Sequence, residues 1–321
     1  MAESDLISTL VRQARRHQDG ETLLGPGDDG ALIRSVSNGL VVSTDSYLEG
    51  SHYQTRWLSP EQLAQRCLGA ALSDLAAMGA LPRFYTLALS LNGSEPEDFV
   101  SRLGQGLGLM AKRHKIDLIG GDLTRSRQQG LTLTVMGSPL QGRVLQRSGA
   151  RENDEIWVSG SLGGSAAALA VLKNNGNDRS SLSDPFRNVE PRIVLGTTLA
   201  RMGIASAGID LSDGLVLDLY RLCKASKCGA KIDQKALPVD PSASRVADMM
   251  NEPTDSYVLY GGEDYELLFC VSPSMAEAMH DLSEATSVRL SRIGVITRGN
   301  QVTNQTGNVL PQRGWEPFKE H

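Results

Sequence analysis

Long apolar runs are missing from this sequence. No stretch of about 18 or more uncharged apolar residues, the length of a membrane-spanning helix, occurs in the 321 residues. The segment MAESDLISTLVRQARRHQDG at the start has acidic residues early and basic residues late, the reverse of a signal peptide. We therefore expect a cytoplasmic protein without a membrane partner.

Positive charge is also scarce. The sequence has 32 Lys and Arg against 37 Asp and Glu, a formal net charge of −5. A nucleic-acid partner is disfavoured, because a phosphate backbone is bound by a basic face. Acidic loops can still bind phosphates through metal ions.

Cysteine is rare and is not arranged in metal-binding or redox motifs. The four cysteines form no CxxC pair and have apolar or helical surroundings: Cys67, Cys223, Cys228 and Cys270. We interpret them as reduced structural thiols, since buried free cysteine behaves as a small hydrophobic residue. The Walker A pattern GxxxxGK[ST] and the protein-kinase HRD and DFG motifs are missing as well.

The mass of 34.5 kDa exceeds that of a usual single domain, and hydrophobic periodicity indicates two. Residues 1–138 are predicted to form a mixed α+β domain, in which Ser59-Pro60 caps a strong helix that ends at Gly79. Residues 139–321 are predicted to form an α/β domain that begins with EIWVSG, a glycine turn and the helix SLGGSAAALAVL.

The segment Gly25-Pro26-Gly27-Asp28-Asp29-Gly30 formally matches GxGxxG. A dinucleotide site would need a strand before the pattern and a helix after it, but the strand-like ALIRSV follows. Two carboxylates would also repel phosphate, whereas they can ligate Mg²⁺. The segment alone is equally compatible with an acidic surface turn, and Asp28 and Asp29 both stay candidates for its ligand.

Further aspartates occupy positions that disfavour aspartate. Asp45, Asp122 and Asp210 end apolar strands, and Asp74 lies within a helix. Asp74 has Ala70, Ala71, Ala77 and Met78 as helical neighbours, so its unpaired carboxylate would be costly to bury. A metal would relieve that cost, and so would a backbone or arginine partner.

Several such acids suit a reaction between two anionic substrates. ATP carries about four negative charges and a phosphomonoester up to about two, so divalent ions are needed between them. Mg²⁺ ions held by aspartates, with oxygens of Ser43 and Thr44, would neutralise and align the two for in-line transfer.

Eight motifs occur in an order typical of one family: GDDGA, STD with His52 seven residues on, LSDLAAMGA, IGGD, QRSGA, DLSDG, GGEDYEL and RGW. Together they resemble the thiamine-monophosphate kinases, of the superfamily of aminoimidazole ribonucleotide synthetase and selenophosphate synthetase. The resemblance spans nearly the whole chain. It implies a PurM-like fold, with an N-terminal α+β domain whose sheet joins that of a second subunit in a barrel-like homodimer and a C-terminal α/β domain.

The resemblance implies ATP-dependent phosphorylation of thiamine monophosphate to thiamine diphosphate, assisted by several Mg²⁺ ions. The implied metal ligands are Asp29, Ser43, Thr44, Asp45, Asp74, Asp122, Asp210 and Asp213. The implied ATP contacts are Gly121, Asp122, Arg147 and Ser212. The implied thiamine phosphate contacts are His52, Glu263 and Trp315. One departure from the family is Leu123, where the motif GGDLT stands in place of GGDTT.

Simpler interpretations exist for the four assignments outside the aspartates. Arg147 could be a surface turn cation, His52 a polar loop residue, Glu263 a cap and Trp315 an anchor for the tail. For the whole chain, the alternatives are a superfamily enzyme with a different acceptor and a non-catalytic metal- or nucleotide-binding module. Selenophosphate synthetase is disfavoured, because no cysteine lies in the N-terminal glycine loop to act on selenium. The first cysteine, Cys67, lies in a predicted helix.

Overall fold

The computed structural model describes residues 3–14, 22–24, 32–34, 39–175 and 180–315. The chain divides into two units. Unit 1 comprises Met1–Leu75, Ala80–Gly142 and Arg187–Val189, and unit 2 comprises Ala76–Gly79, Arg143–Phe186 and Glu190–His321. No described helix is both long and apolar enough to cross a membrane.

Unit 1 is built on a four-stranded sheet with helices on one face. Its elements in chain order are α1 (Glu3–Ala14), β1 (Thr22–Leu24), β2 (Leu32–Ile33), β3 (Val41–Leu48), α2 (Pro60–Ala77), β4 (Ala80–Leu91), α3 (Phe99–His114), β5 (Asp117–Arg125) and β6 (Gly130–Pro139). The sheet has the order β3-β6-β4-β5, and only β4 and β5 run parallel. This mixed arrangement is the predicted α+β type.

The N-terminal end of α2 follows the predicted capping. The Ser59 Oγ accepts from the backbone N–H of Gln62 at 3.3 Å, and the backbone N–H of Ser59 donates to the Gln62 Oε1 at 3.0 Å. This reciprocal pair satisfies two N–H groups, and Pro60 takes the first helical position. The helix is therefore held in place at the end from which it runs to Asp74.

The two faces of the four-stranded sheet differ in polarity. Alternate residues of β4 and β6 are buried on the face that packs on α2: Tyr85, Leu87, Leu89, Leu131, Leu133 and Val135. The residues between them include Thr86, Ala88, Thr132 and Thr134, which are half-buried or exposed. We call the first the helix-covered face and the second the open face.

Unit 2 contains a six-stranded sheet. Its elements in chain order are β7 (Glu155–Ser159), α4 (Gly164–Asn175), α5 (Asp184–Arg187), α6 (Ile193–Met202), β8 (Ala205–Asp210), α7 (Leu215–Ser226), β9 (Gly229–Ile232), α8 (Pro241–Met250), α9 (Thr254–Tyr260), β10 (Leu267–Val271), α10 (Ala278–Thr286), β11 (Leu290–Thr297) and β12 (Val302–Asn304).

The strand order in unit 2 is β12-β9-β11-β7-β10-β8, and only β12 and β9 are parallel. The other neighbours are antiparallel, so the α/β expectation is wrong in strand direction. Helix and strand alternate along much of this unit, but strands adjacent in sequence are not adjacent in the sheet. The core under α7 is apolar and includes Ile156, Val158, Leu219 and Leu222.

Candidate functional site

Two aspartates meet on the helix-covered face of unit 1. The Ser43 hydroxyl of β3 donates a short hydrogen bond to the Asp74 carboxylate of α2, and the Tyr47 hydroxyl donates to the Asp45 Oδ2 at 3.3 Å. The pKa of Asp45 is raised to about 6, chiefly by burial and also by the charge of Asp74, while the bond from Tyr47 lowers it. The two carboxylates therefore repel each other.

This arrangement fits a divalent cation. Carboxylate and hydroxyl oxygens are the ligands that Mg²⁺ prefers, and a cation would relieve the repulsion between Asp45 and Asp74. Among the residues that the structure describes, no three His, Cys, Asp or Glu side chains form a ready metal centre. Asp28 and Asp29, the predicted ligands of the N-terminal loop, lie outside the described residues.

His52 lies against Tyr47, which contacts Asp45. Its Nδ1 accepts from the backbone N–H of Leu48 at 3.1 Å, which leaves the proton of the neutral imidazole on Nε2. The Tyr47 ring packs edge-on against the imidazole with centroids 6.1 Å apart. Tyr47 thus contacts both His52 and Asp45.

Thr44 and Asp122 point to the other side of the sheet. Side chains alternate along β3, so the Thr44 hydroxyl lies on the open face, 3.0 Å from the Thr134 hydroxyl. Asp122 lies in one row of paired residues with Ala88, Thr132 and Ser46 of that face. Three strand spacings, roughly 14 Å, separate β5 from β3. The structure does not bring these two side chains to the Asp45–Asp74 pair.

Gly121 marks a close approach between β5 and β4. A Cβ atom at this position would lie 2.0 Å from the Leu87 carbonyl oxygen. Only glycine fits here without a shift of the strands. The glycine therefore sets the backbone position of Asp122, the next residue of the strand.

In unit 2, the motif DLSDG forms a loop around a buried carboxylate. The Asp218 Oδ2 accepts from the backbone N–H groups of Ser212, Asp213 and Gly214 at 3.2, 3.0 and 3.2 Å. Burial raises the pKa of Asp218 to about 6, against the lowering effect of these bonds and of Arg221. Asp210, buried at the end of β8, leads into this loop.

Arg221 joins the two acids of this loop. Its Nη1 donates to the Asp218 Oδ1 at 2.6 Å and, in a shorter bond, to the Asp213 carboxylate. The predicted ligand Asp213 thus already has a cationic partner. A metal at Asp213 would have to share the carboxylate with Arg221 or replace it.

The GGEDYEL segment lies alongside the same loop. The backbone N–H groups of Glu263 and Tyr265 donate to the Ser212 and Leu211 carbonyls, each at 2.8 Å. Both residues have left-handed backbone conformations, with φ of 69° and 51°. Two hydrogen bonds on alternate residues hold this unfavourable geometry in place, and they fix Glu263 next to Ser212.

The C-terminal RGW reaches the loop as well. The backbone N–H of Trp315 donates to the Asp213 carbonyl at 2.9 Å, and Trp315 is 38% exposed. A Cβ at Gly314 would lie 2.4 Å from the same carbonyl oxygen. Trp315, Glu263, Ser212 and Asp213 are therefore neighbours within unit 2.

Arg147, a predicted ATP contact, lies away from the group of Trp315, Glu263, Ser212 and Asp213. Its carbonyl accepts from the Ser226 Oγ at 2.9 Å, at the C-terminal end of α7. The loop with Ser212 and Asp213 precedes the N-terminal end of this helix, whose 12 residues span roughly 18 Å. Arg147 is exposed beside the far end.

Asp264 caps α4. Its carboxylate accepts from the backbone N–H groups of Gly163 at 2.8 Å and Ser165 at 3.3 Å. The pKa of Asp264 is raised to about 8, chiefly by burial and also by the nearby Glu266 and Asp240 charges, while these two bonds lower it. The carboxyl group therefore anchors the GGEDYEL segment to α4.

We expect Asp264→Asn to change the pH dependence of stability. Because the pKa of Asp264 rises from 3.8 to about 8 on folding, its contribution is fully present below pH 3.8 and is lost as pH rises through about 8. Asparagine does not titrate. The wild-type free energy of unfolding, relative to the variant, should therefore fall between about pH 5 and pH 8 in denaturant titrations. Parallel curves would contradict the shift.

Four residues that shape these sites were not singled out in the sequence: Tyr47, Asp218, Arg221 and Asp264. Asp218 and Arg221 are three residues apart on α7, a spacing that places them on one face of the helix. Tyr47 has the same strand parity as Ser43 and Asp45. These signals were available, but the capping role of Asp264 depends on contacts about one hundred residues away in sequence.

Comparison with known proteins gives the class of the chain. Residues 27–138 match the family model of the AIR synthase related protein, N-terminal domain, and residues 151–305 match that of the C-terminal domain. The fold is therefore PurM-like in both domains. Hydrogenase maturation protein HypE of Escherichia coli shares this fold, with a TM-score of 0.80 at 18% identity over 99% of both chains.

Individual relatives narrow the class. Thiamine-monophosphate kinase of Bacillus subtilis is 30% identical over 99% of this chain and 100% of its own length, and that of Escherichia coli is 41% identical over 92% and 88%. The crystal structure of the Stenotrophomonas maltophilia thiamine-monophosphate kinase has a TM-score of 0.86 at 34% identity, over 97% and 98%. The chain belongs to the thiamine-monophosphate kinase family, as the motifs predicted.

A further relative is described with its ligands. The structure of AaThiL complexed with AMPPCP and TMP has a TM-score of 0.79 at 28% identity, over 90% of this chain and 90% of that one. AMPPCP is an analogue of ATP.

Proposed function

We propose that this chain transfers the γ-phosphoryl group of ATP to thiamine monophosphate, giving thiamine diphosphate and ADP. The observation that carries this proposal is the relative complexed with AMPPCP and TMP, which matches 90% of both chains. It pairs a nucleotide with a phosphate-bearing acceptor. The aspartate pair of unit 1 supports the same chemistry, because two anionic substrates need cations between them.

We propose Asp45, Asp74 and Ser43 as Mg²⁺ ligands on the helix-covered face. When bound, Mg²⁺ neutralises phosphate charge and helps to orient the reacting groups. Ser43 orients the Asp74 carboxylate and Tyr47 orients that of Asp45 through the hydrogen bonds described above. The other proposed ligands are Asp29, Thr44, Asp122, Asp210 and Asp213, of which Thr44 and Asp122 would act from the open face.

No side chain needs to act as a general base. A terminal phosphate is already ionised at neutral pH, so its oxygen can attack the γ-phosphorus directly and in line. Gly121, Asp122, Arg147 and Ser212 are proposed ATP contacts, and His52, Glu263 and Trp315 are proposed contacts of the thiamine phosphate. The neighbouring positions of Glu263 and Trp315 support their shared role.

We also propose a homodimer in which the open face faces the interior of a barrel formed with the second copy's sheet. Val42 and Leu48 on this face are 54% and 36% exposed. Exposed apolar side chains of this kind are typical of a surface that another protein surface buries. The proposed domain boundary lies between residues 138 and 139, so that residues 1–138 form the dimerisation domain and 139–321 the C-terminal domain.

The direct test is ADP release from ATP and Mg²⁺ by the full chain, with and without thiamine monophosphate. We expect ADP to form only when the acceptor is present, together with thiamine diphosphate, and EDTA to stop the reaction. A panel of other phosphomonoesters tests acceptor identity. Equal ADP release without acceptor, full activity in EDTA or faster turnover of another phosphomonoester would each overturn the proposal.

Replacement of Trp315 tests the acceptor end of the site. An aromatic contact contributes roughly 0.5 to 1.5 kcal/mol beyond area, so Trp315→Ala should raise the KM for thiamine monophosphate about three- to tenfold. The KM for ATP should change little. The bond from the residue 315 N–H to the Asp213 carbonyl can persist, since it belongs to the backbone.

Met249→Ala is the matched control for Trp315→Ala. It also truncates an exposed apolar side chain of unit 2, on α8, and should leave both KM values unchanged. If Trp315 only anchored the tail, its loss would lower the thermal midpoint without changing either KM. A change in the KM for ATP alone would mean that Trp315 contacts the nucleotide.

A further inference from the structure

The C-terminal end of α7 brings two cysteines together. The backbone N–H of Cys228 donates to the Cys223 carbonyl at 3.0 Å, and Lys227 between them has a left-handed backbone with φ of 56°. This is the six-to-one bond of a Schellman motif, in which the residues at its two ends commonly pack against each other. Here both residues carry thiols.

The Cys228 thiol lies against the residue Cys223, with its Sγ 3.8 Å from the Cys223 carbonyl oxygen. Interaction between the two side chains lowers the pKa of Cys228, against the effects of burial and of the Asp154 charge, and raises that of Cys223. Cys228 is therefore the thiol that ionises first, with Cys223 as the donor beside it. A thiolate next to a second thiol is the arrangement required for disulfide exchange.

A cavity gives small molecules access to the pair. Both cysteines line a space of about 490 Å³, together with Tyr220, Lys224, Lys227 and Asn300. Lys224 and Lys227 are exposed, and their ammonium groups favour thiolates and attract anionic reagents. Cys223 and Cys228 are 1% and 7% exposed, so access to them is through this cavity.

The other two cysteines provide an internal comparison. Cys67 lies buried in α2 of unit 1, and Cys270 is buried in β10 with 0% exposure. Neither lines the cavity. Reaction at Cys223 and Cys228 alone would therefore be a property of the helix end and its cavity.

We propose that Cys223 and Cys228 form a dithiol modification site, which a small disulfide such as oxidised glutathione converts to an intramolecular disulfide. The Cys228 thiolate attacks one sulfur of the reagent, forms a mixed disulfide and releases one thiolate. Cys223 loses its proton to solvent, attacks the Cys228 sulfur and releases the second thiolate. The two protein thiols are oxidised by two electrons, and the reagent is reduced to two thiols.

This site lies at the opposite end of α7 from the loop of Ser212 and Asp213, although Arg147, a proposed ATP contact, lies at the same end as the cysteines. The loop of Ser212 and Asp213 precedes the N-terminal end of α7, roughly 18 Å from the cysteine pair. The inference does not depend on the proposed function. It also changes the interpretation of these two thiols, which the sequence indicated to be inert structural residues.

The test treats the native full chain with oxidised glutathione and follows intact mass, thiol titration and peptide mapping. We expect the mass to fall by two hydrogen atoms, with Cys223 and Cys228 linked in one peptide pair. Cys228 should react at least about tenfold faster than Cys67 and Cys270. Cys67→Ser and Cys270→Ser serve as controls and should still form the linkage.

The variant Cys223→Ser should trap the intermediate, a glutathione adduct that persists on Cys228. Wild-type mapping keeps the proposal falsifiable if this variant does not fold. Four results in the wild-type chain would overturn the inference: unchanged thiols, a persistent Cys228 adduct without closure, a linkage through Cys67 or Cys270, or a disulfide between two chains.

Discussion

Asp218→Asn is expected to lower both stability and ATP-dependent activity. The substitution removes the charge from a fully buried carboxylate that accepts three backbone N–H bonds and one from Arg221. Disrupting a buried pair of this kind costs about 3 kcal/mol, at the low end of the range because Arg221 is partly exposed. Urea titration measures the loss.

Activity should fall with it. Asparagine keeps only one acceptor oxygen, so it cannot accept both the three N–H bonds of the loop of Ser212 and Asp213 and the bond from Arg221. We expect kcat/KM for ATP to fall at least about tenfold, as small misplacements of binding groups are costly. Asp248→Asn makes the same charge change at an exposed site of α8 and should alter stability by less than about 0.5 kcal/mol. Equal effects of the two variants would show that Asp218 has no special role in holding the loop.

Asp45→Asn and Asp74→Asn are expected to abolish phosphoryl transfer and leave the fold intact. Each removes one carboxylate charge but little volume. Because the charges of Asp45 and Asp74 oppose each other, either variant should be as stable as the wild type, or more so, in metal-free buffer at neutral pH. Kinetics at rising Mg²⁺ and denaturant titrations measure the two effects, and partial rescue by Mg²⁺ is expected.

The combination of lost activity and retained stability is the distinguishing result. A purely structural pair would give the opposite, a loss of stability with activity retained per folded molecule. Glu97→Gln, on an exposed residue of unit 1, controls for charge removal and should leave turnover unchanged. Near-wild-type turnover in both aspartate variants would eliminate the proposed metal site.

The sequence predicted the elements that have strong local signals. The Ser59-Pro60 start of α2 is confirmed, and the segments EIWVSG and SLGGSAAALAVL contain the predicted strand, β7, and the predicted helix, α4. These elements combine caps or turns with clear hydrophobic periodicity. Helix α8 was missed, although Asp240 caps it before Pro241 and Asn251 ends it in a left-handed conformation. Its few apolar residues gave weak periodicity.

The aspartates were harder to assign to sites, because sequence spacing does not give strand order. Alternation along β3 already separates Thr44 from Ser43 and Asp45. The position of Asp122 on the opposite face depends on the order β3-β6-β4-β5 and on the registers across it. Such pairings are set by packing between distant segments, so the motif list alone treated all aspartates as one set.

The left-handed residues Glu263 and Tyr265 have a consequence for laboratory evolution. Each non-glycine residue in this conformation stores roughly 1 to 2 kcal/mol of strain that glycine would relieve. Selection of a library for heat resistance alone should therefore enrich glycine at these positions. Glycine at position 263 removes the Glu263 carboxylate. Selection on such a library should include turnover from the first round, so that thermal stability is not gained by losing a residue of the proposed acceptor site.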